Sequence, residues 1–397
     1  MNKIAAALAS DSSVTMSTGN QVLRSYPTAE KIFPLTHPHR LAVLHNGCTE
    51  LLRVPYAVLL AEWHRTLTAP LARVSDYATS FLMWIEAQTG IFDDANQDNF
   101  LEWMLRDYFL AVRNDILEEC HRRSLQPEDW ETPIAAALLE EVLAPRLRHL
   151  RELSSSENLD QADIDAFMTS HAKTVQAALE WVFDDTPRSE SGDQLLNEMA
   201  STVVAATESF SSDADLIFVG FGEEELFPAS QAVGVGGIFA GKVKSTIHPY
   251  NAITTDDSAY ISPYAQTEAM HTFLRGYHPD FLAAAHQNLE TALTAREHDP
   301  KDATFDTSKH HEQLTDQFER LSWDEFLQPL VSTVAGLPKA ELARMAESLV
   351  GLQVLRKLTR AEAETVGGPL DVATLTRGEG FTWCRHKSLL RELAEQP

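Results

Sequence analysis

Strand-forming segments occur in three widely separated parts of this 397-residue chain. The parts cover residues 1–60, about 213–250 and about 363–390, and segments with helical spacing at about 90–210 and 264–360 lie between them. Terminal strands usually pair with the rest of a sheet. The order therefore predicts one composite α+β domain over residues 1–397, with large helical insertions between the strands of a shared core.

The first part combines three residue types that can serve one reaction. Apolar residues 4–9 lead to Asp11, Lys31 begins a second apolar segment, and a buried strand at 41–45 breaks at Gly47 before a helix. A lysine can activate a nucleophile, an acid can orient the lysine, and a free backbone N–H can stabilise an oxyanion. Asp11, Lys31 and Gly47 are therefore the candidate catalytic residues. On residue types alone, Asp11 and Lys31 could equally form a structural ion pair in an unrelated α+β scaffold, which contributes little to stability when exposed.

Hydrophobic periodicity predicts the other elements. Helical spacing occurs at 56–67, 75–86, 101–116, 164–182, 195–210, 262–294, 314–330 and 339–358. Strands are predicted at 216–222, on both sides of a turn within 233–243, and in a hairpin at 367–384 that turns at Thr376–Glu379. Polar composition predicts a loop at 184–192 and a linker at 297–312.

Composition limits the partners and the compartment. The formal net charge is -26, with 58 acidic against 32 basic residues. Phosphate neutralisation needs clustered Lys and Arg, so neither nucleic acid nor an anionic membrane is expected as a partner. The three cysteines are far apart, which fits the reducing cytoplasm. The apolar run near the start, about six residues, is shorter than a signal-peptide core, and no run approaches a membrane span.

Other motifs have simpler interpretations. None of the histidine groups has metal-ligand spacing, the glycines at 234–237 do not match a phosphate loop, and no GxSxG elbow is present. No cofactor and no metal are therefore expected. The acids Glu223–Glu225 favour a solvated loop after a buried strand. The histidine groups are His37 and His39, His310 and His311, and His386 beside Cys384.

Four segments follow one another in a fixed order along the chain. They are Leu8–Thr15 with sequence LASDSSVT, Lys31–Phe33, Val43–Glu50 with sequence VLHNGCTE, and the late run Ala363–Val372 followed by GEGF at 378–381. This ordered set resembles proteasome β-subunits and their bacterial relatives. That family shows a strand ending in a similar acid–serine run, then a lysine, then a strand leading to a glycine and a helix. The strands at 217–221 and after 233 fall where the family has central strands, so the resemblance covers about half of the chain.

The resemblance implies a four-layer αββα sandwich of the N-terminal-nucleophile type, with large helical insertions. Carried over by position, Asp11 matches the acid, Lys31 the catalytic lysine and Gly47 the oxyanion glycine. The implied activity is that of a threonine-peptidase-family hydrolase, which cleaves peptide bonds. The implied partners are further copies of the chain, in a ring or stacked rings, and an ATP-dependent unfoldase or adaptor.

The chain departs from the family in two places. The family has about sixteen residues before its acid, with the nucleophile at their start, whereas this sequence has ten before Asp11, without Thr or Cys. Val366 stands where a late serine is expected, with Glu364 nearby. An active enzyme is therefore expected only if the true start lies upstream. The alternative is a non-catalytic assembly or binding subunit with the same fold.

Overall fold

The chain is α+β, as predicted, with antiparallel sheets and many helices. A computed structural model describes residues 1–18, 21–26, 28–125, 133–153, 156, 158–184, 186, 188–206, 213–264, 268–297, 307–359 and 367–387. The strands are β1 (Ala6–Ser10), β2 (Val14–Thr18), β3 (Gln21–Tyr26), β4 (Ile32–Pro34), β5 (Arg40–Gly47), β6 (Glu50–Leu51), β7 (Val54–Pro55), β8 (Ala214–Phe221), β9 (Ala229–Phe239), β10 (Lys242–Ile247), β11 (Asn251–Ala252), β12 (Asp371–Thr376) and β13 (Gly380–Arg385).

The helices lie mainly in the predicted regions. They are α1 (Tyr56–Thr66), α2 (Val74–Glu86), α3 (Asp94–Arg122), α4 (Pro133–Glu152), α5 (Gln161–Ser170), α6 (Ala172–Phe183), α7 (Glu190–Ala205), α8 (Glu268–Arg275), α9 (Pro279–Glu297), α10 (Thr307–Ser322), α11 (Gln328–Gly336) and α12 (Lys339–Leu358). A π-helical turn, Trp323–Leu327, joins α10 to α11. No helix in these described ranges combines the length and apolarity needed to cross a membrane.

The central sheet has six strands, in the order β10-β9-β8-β5-β4, with β11 also paired to β9. The strand β8 lies at its centre, and it is buried along almost its whole length. A near-continuous apolar run of this kind suits a strand that is covered on both faces. The strand β5 pairs with β8 in the register Leu44↔Ile217, which joins the first and second strand-forming parts of the sequence.

The second sheet joins the two ends of the described chain. Its order is β1-β12-β13, and Leu8 pairs with Ala373 across the antiparallel β1–β12 ladder. Leu8 and Leu375 pack against Ile217 and Val219 of the central sheet. Strands from both ends of the described chain therefore pack against strands from its middle, although β1, β12 and β13 form a sheet of their own.

Helices cover the outer faces of both sheets. Trp63 of α1 and Phe81 of α2 pack on Phe218, with ring centroids 5.9 and 6.0 Å away. On the far side, Leu342 of α12 packs on Ala5, next to β1. The contacts define an order of layers: helices α1 and α2, then the central sheet, then the three-stranded sheet, then α12.

The helical segment α3–α7 builds its own apolar core and continues into that of the central sheet. Phe109 of α3 contacts Phe183 of α6, with ring centroids 5.9 Å apart. Phe239 at the end of β9 contacts Phe100 and Phe167, at 6.0 and 5.4 Å, and so ties this segment to the sheet. The strong apolar stripes found in the sequence are buried here.

Some predicted boundaries were wrong. The helical stretch at 164–182 is interrupted at His171, and that at 262–294 is broken at Gly276, whose positive φ of 76° ends α8. The linker predicted at 297–312 is helical from Thr307 onward, so His310 and His311 lie on α10. Helix α4 lies in the region predicted as helical, 90–210, but was not predicted as a separate helix, and β6 and β7 intervene between β5 and α1. Residues 154, 155, 157, 185, 187, 207–212, 298–306 and 360–366 lie outside the described residues.

Candidate functional site

Asp11 and Lys31, predicted from the sequence as site residues, form a close ion pair. Lys31 Nζ lies 2.7 Å from Asp11 Oδ1, and the two side chains are only 16% and 13% exposed. The other carboxylate oxygen of Asp11, Oδ2, accepts hydrogen bonds from the backbone N–H groups of Ser13 and Gly367, each at 3.1 Å. Asp11 is thus held on both oxygens, which fixes the direction in which it presents Lys31.

The local sequence explains how these side chains meet. Asp11 follows β1 directly, and Lys31 immediately precedes β4. The backbone N–H of His45 in β5 donates to the carbonyl of Lys31 at 2.9 Å, which extends the β4–β5 ladder by one residue. The end of β1 and the start of β4 therefore come together where the two sheets stack.

A second and more buried ion pair stands behind the first. Lys387 and Asp371 have side chains that are each 3% exposed, and their charged groups are in direct hydrogen-bond contact. Lys387 Nζ also donates to Ser12 Oγ at 2.8 Å and to the Ala29 carbonyl at 2.7 Å. This network clamps the loop after β1 and so fixes the position of Asp11.

The sequence analysis did not find the Lys387–Asp371 pair. Lys387 follows the last strand in a polar tail, and nothing in its spacing links it to Asp371 at the start of β12. Only the sheet order, which places the two chain ends side by side, brings them together.

Gly47, the third predicted residue, occupies the end of β5 and needs to be glycine. Its φ is +83°, a conformation that side chains with a Cβ disfavour, and an added Cβ would stand 2.4 Å from the Asp213 carbonyl oxygen. Its neighbour Cys48 donates its N–H to that same carbonyl at 2.9 Å. Gly47 and Ala214 are register partners in the β5–β8 ladder.

His45 adds a neutral imidazole close to the ion pair. Its Nε2 lies 2.5 Å from the carbonyl oxygen of Cys48. A carbonyl can only accept, so Nε2 carries the proton and Nδ1 retains a lone pair. Burial lowers the pKa of His45, and the nearby Lys31 ammonium also lowers it. The sequence analysis did not assign His45 to the site, and the signal that could have identified it is a single histidine inside an otherwise apolar strand.

Tyr56 packs behind His45 with its ring tilted, and its hydroxyl is buried. The two rings have centroids 5.3 Å apart. The Tyr56 hydroxyl is buried and has no hydrogen-bond partner among the described residues. Burial raises the pKa of Tyr56 well above its ordinary value, so the phenol stays protonated.

All three predicted residues line one cavity of about 1150 Å³. It begins beside Asp11 and Lys31 and extends between the central sheet and α12. The helical insertion α3 contributes Trp103, which is 43% exposed, to the wall. The sequence analysis did not assign α3 to the site, because a helix is brought to a cavity by packing over the sheet and not by its own periodicity.

Hydroxyl and thiol groups also line the cavity. Ser10 Oγ donates to the Asp11 carbonyl at 2.9 Å, and Cys48 Sγ donates to the Glu50 carbonyl at 3.3 Å. Burial raises the pKa of the Cys48 thiol, which opposes thiolate formation. In the described part of the chain, the hydrogen-bond partner of Lys31 Nζ is Asp11, and neither Ser10 nor Cys48 is hydrogen-bonded to it.

The N-terminal amine of Met1 lies at the other end of β1 from Asp11. It donates to the Tyr260 carbonyl at 2.7 Å. Burial lowers the pKa of this amine to about 6. Although Met1 lines the same cavity, the length of β1 separates its amine from Lys31.

His39 and Glu225, which belong to two other motifs of the sequence, make hydrogen-bond contacts within the fold. His39 Nδ1 lies 3.0 Å from the Tyr77 hydroxyl. The Glu225 carboxylate accepts from Gly222 N at 2.8 Å and Val74 N at 3.0 Å, and burial raises its pKa, so the solvated loop predicted at Glu223–Glu225 was wrong for Glu225. Across the described ranges, no group of three or more His, Cys, Asp or Glu residues is arranged to hold a metal ion.

The glycine stretch at 234–237 forms part of β9, where backbones and side chains approach closely. Gly236 stands opposite a register shift between Lys244 and Ser245 of β10. A Cβ on Gly237 would stand 2.6 Å from the Phe100 ring. The stretch is therefore an irregular part of a strand, where a side chain at Gly237 would not fit.

No protein-family model matches the chain, and a comparison with curated proteins finds no match.

Proposed function

We propose that the chain is a hydrolase of the N-terminal-nucleophile type, similar to proteasome β-subunits, that cleaves peptide bonds beside the Asp11–Lys31 pair. The observation that carries this proposal is the pair itself, with its 2.7 Å contact on the wall of the cavity. The Asp11 carboxylate is already held by two backbone N–H groups. A lysine oriented in this way is suited to act on a group that enters the cavity.

The stacking of layers supports the corresponding fold. Helices α1 and α2, the central sheet, the three-stranded sheet and α12 follow one another, which is the order of a four-layer αββα sandwich. In this assignment, α3–α7 and α8–α11 are the helical insertions. From the resemblance to proteasome β-subunits, we also propose that the protein is cytoplasmic, assembles into a ring or stacked rings, and works with an ATP-dependent unfoldase or adaptor.

The residues would divide the reaction as follows. A hydroxyl or thiol attacks the carbonyl carbon of the scissile peptide bond, and the leaving amine takes the proton that the nucleophile loses. Lys31 stabilises the charge that develops at the nucleophile, and Asp11 keeps the ammonium oriented. The Gly47 backbone N–H serves the oxyanion. Water then hydrolyses the ester or thioester and restores the nucleophile.

A second function, non-catalytic binding or assembly, is favoured by one observation. Within the described residues, Lys31 Nζ donates its hydrogen bond to Asp11 and none to a hydroxyl or thiol. In that case, the Asp11–Lys31 pair would hold the end of β1 in place, and the cavity would bind a partner.

Two measurements separate these functions. Intact mass and N-terminal sequencing of natively expressed protein would reveal a mature Thr, Ser or Cys terminus if one is generated. Hydrolysis of a mixed peptide library should then be followed for the wild type and for Lys31→Met. We expect Lys31→Met to lower the rate by about 100-fold or more, whereas the matched control Lys339→Met, whose pair with Glu379 is exposed, leaves it unchanged. If the wild type hydrolyses no peptide in any assembled state, the proposal that the chain is a hydrolase is refuted.

A further inference from the structure

The outer edge of β1 faces the cavity. The strand β1 pairs with β12 along one edge, and none of the described strands pairs with its other edge. Four consecutive residues, Ala7–Ser10, line the cavity. Side chains of a strand alternate between its faces, so a consecutive run indicates that the backbone edge itself is presented. Unpaired N–H and C=O groups on such an edge are a template for another strand.

The layers on either side of β1 continue past this edge. Leu44, Ile217 and Val219 of the central sheet line one wall of the cavity, and Met270 of α8 and Leu349 of α12 line the opposite wall. The cavity is therefore a slot between a sheet and helices, at the level of the three-stranded sheet.

The slot has the size of a short strand. Neighbouring strands are about 4.8 Å apart, stacked layers about 10 Å apart, and each residue rises about 3.3 Å, so one packed strand residue occupies roughly 160 Å³. A cavity of about 1150 Å³ therefore accommodates roughly seven residues of extended chain on this spacing.

We propose that this slot binds an extended apolar polypeptide segment, which adds to β1 as a fourth strand of the three-stranded sheet. The inference goes beyond the proposed function and holds whether or not Lys31 acts in hydrolysis. Main-chain hydrogen bonds to β1 would provide affinity, and the two walls would select the side chains. Because both walls are apolar, the segment must be apolar on both faces, as a near-continuous run of about seven residues.

The charge at the Asp11 end defines what should flank this run. The lining there becomes polar and contains more acids than bases, so basic residues next to the apolar run are favoured. The acids are Asp11, Glu50, Asp107 and Asp213, and the bases are Lys31 and Arg53.

Peptide binding tests the proposal directly. The probe is a fluorescein-labelled peptide of seven alternating Val and Ile residues followed by three lysines, and its binding to the full chain is measured by anisotropy. The control peptide has proline at the fourth position, which removes a backbone donor and interrupts strand pairing. We expect the first peptide to bind and the proline peptide to bind at least about tenfold more weakly, since lost backbone bonds and a misfitted ring both oppose pairing.

Two substitutions on α12 locate the binding. Leu349→Ala removes a wall contact and should weaken binding about tenfold, and Leu349→Trp should block the slot. Leu355→Ala is the matched control, because Leu355 lies on the same helix, is exposed and does not line the cavity. Hydrogen–deuterium exchange should show slower exchange at Ala6–Ser10 when the peptide is bound, which also reports on any variant that folds poorly.

Several results would overturn the proposal. They are equal binding of the proline peptide, binding that Leu349→Ala and Leu349→Trp leave unchanged, and protection that appears on the exposed helical faces instead of at β1. Strong protection of the outer edge of β1 in the free monomer would also overturn it, because the chain itself would then cover the edge. Dimer formation with the same protection would identify a second copy as the occupant instead.

Discussion

Replacing Lys387 by methionine tests whether the buried Lys387–Asp371 pair holds the two ends of the described chain together. Both side chains are 3% exposed, and Lys387 Nζ also donates to Ser12 and Ala29. The substitution leaves the Asp371 carboxylate buried without its cation. Removing one partner of a buried pair usually costs about 3–5 kcal/mol. We therefore expect Lys387→Met to lower the free energy of unfolding by about 4 kcal/mol.

The same loss should appear in thermal unfolding. The unfolding entropy of a chain of 397 residues is about 0.8 kcal/mol/K, so a loss of about 4 kcal/mol lowers Tm by about 5 °C. Urea unfolding followed by circular dichroism measures the free energy, and an unchanged m-value would show that the unfolding transition is the same.

A double substitution separates the charge effect from packing. In Asp371→Leu with Lys387→Met, neither charge remains, so we expect recovery of at least about 2 kcal/mol relative to Lys387→Met. Lys339→Met is the surface control, and its loss should stay below about 1 kcal/mol, because the Lys339–Glu379 pair is exposed. A loss below about 1 kcal/mol for Lys387→Met, or no recovery in the double variant, would refute the reasoning.

Three further results are expected. Gly47→Ala should cost at least about 1–2 kcal/mol in urea unfolding, because of its positive φ and the nearby Asp213 carbonyl, whereas Gly378→Ala, which has open space, should change little. Burial lowers the pKa of His45 below its unfolded value of 6.5, so its contribution to stability is present above pH 6.5 and is lost as the pH falls. His45→Gln should therefore flatten the loss of stability between pH 7 and pH 5, and a slope equal to that of the wild type would contradict this. The carboxylate of Asp215, whose Oδ1 lies 3.7 Å from His248 Nε2, raises the pKa of His248. The contribution of His248 is therefore present below pH 6.5 and is lost as the pH rises, and His248→Gln should remove that opposite dependence.

The sequence alone determined the elements and their arrangement in three strand-forming parts. The run 216–221 is short and ends in glycines, which suits a buried strand, whereas the stripe at 339–358 has the period of a helix, and both elements were predicted within a few residues. Their breaks were harder to predict. His171 and Gly276 interrupt helices at points where the apolar spacing continues. Packing decides the boundary at His171, and the positive φ of Gly276 decides the end of α8.

The candidate site could be predicted in part. The Asp11–Lys31 contact follows from an acid at a strand end and a lysine on the neighbouring segment, and the structure brings the two within hydrogen-bond distance. Gly47 lines the same cavity. The catalytic roles of these residues stay predictions, because Lys31 Nζ forms no hydrogen bond with a hydroxyl or thiol of the described residues.

Tertiary structure alone decided the rest. The Lys387–Asp371 clamp, Trp103 on the cavity wall and the open edge of β1 depend on which strands pair and how helices pack over them. These are contacts between residues far apart in the chain, and local periodicity carries no information about them. The sequence determines which faces must be buried, whereas the order of the strands determines which polar groups meet and which edge stays unpaired.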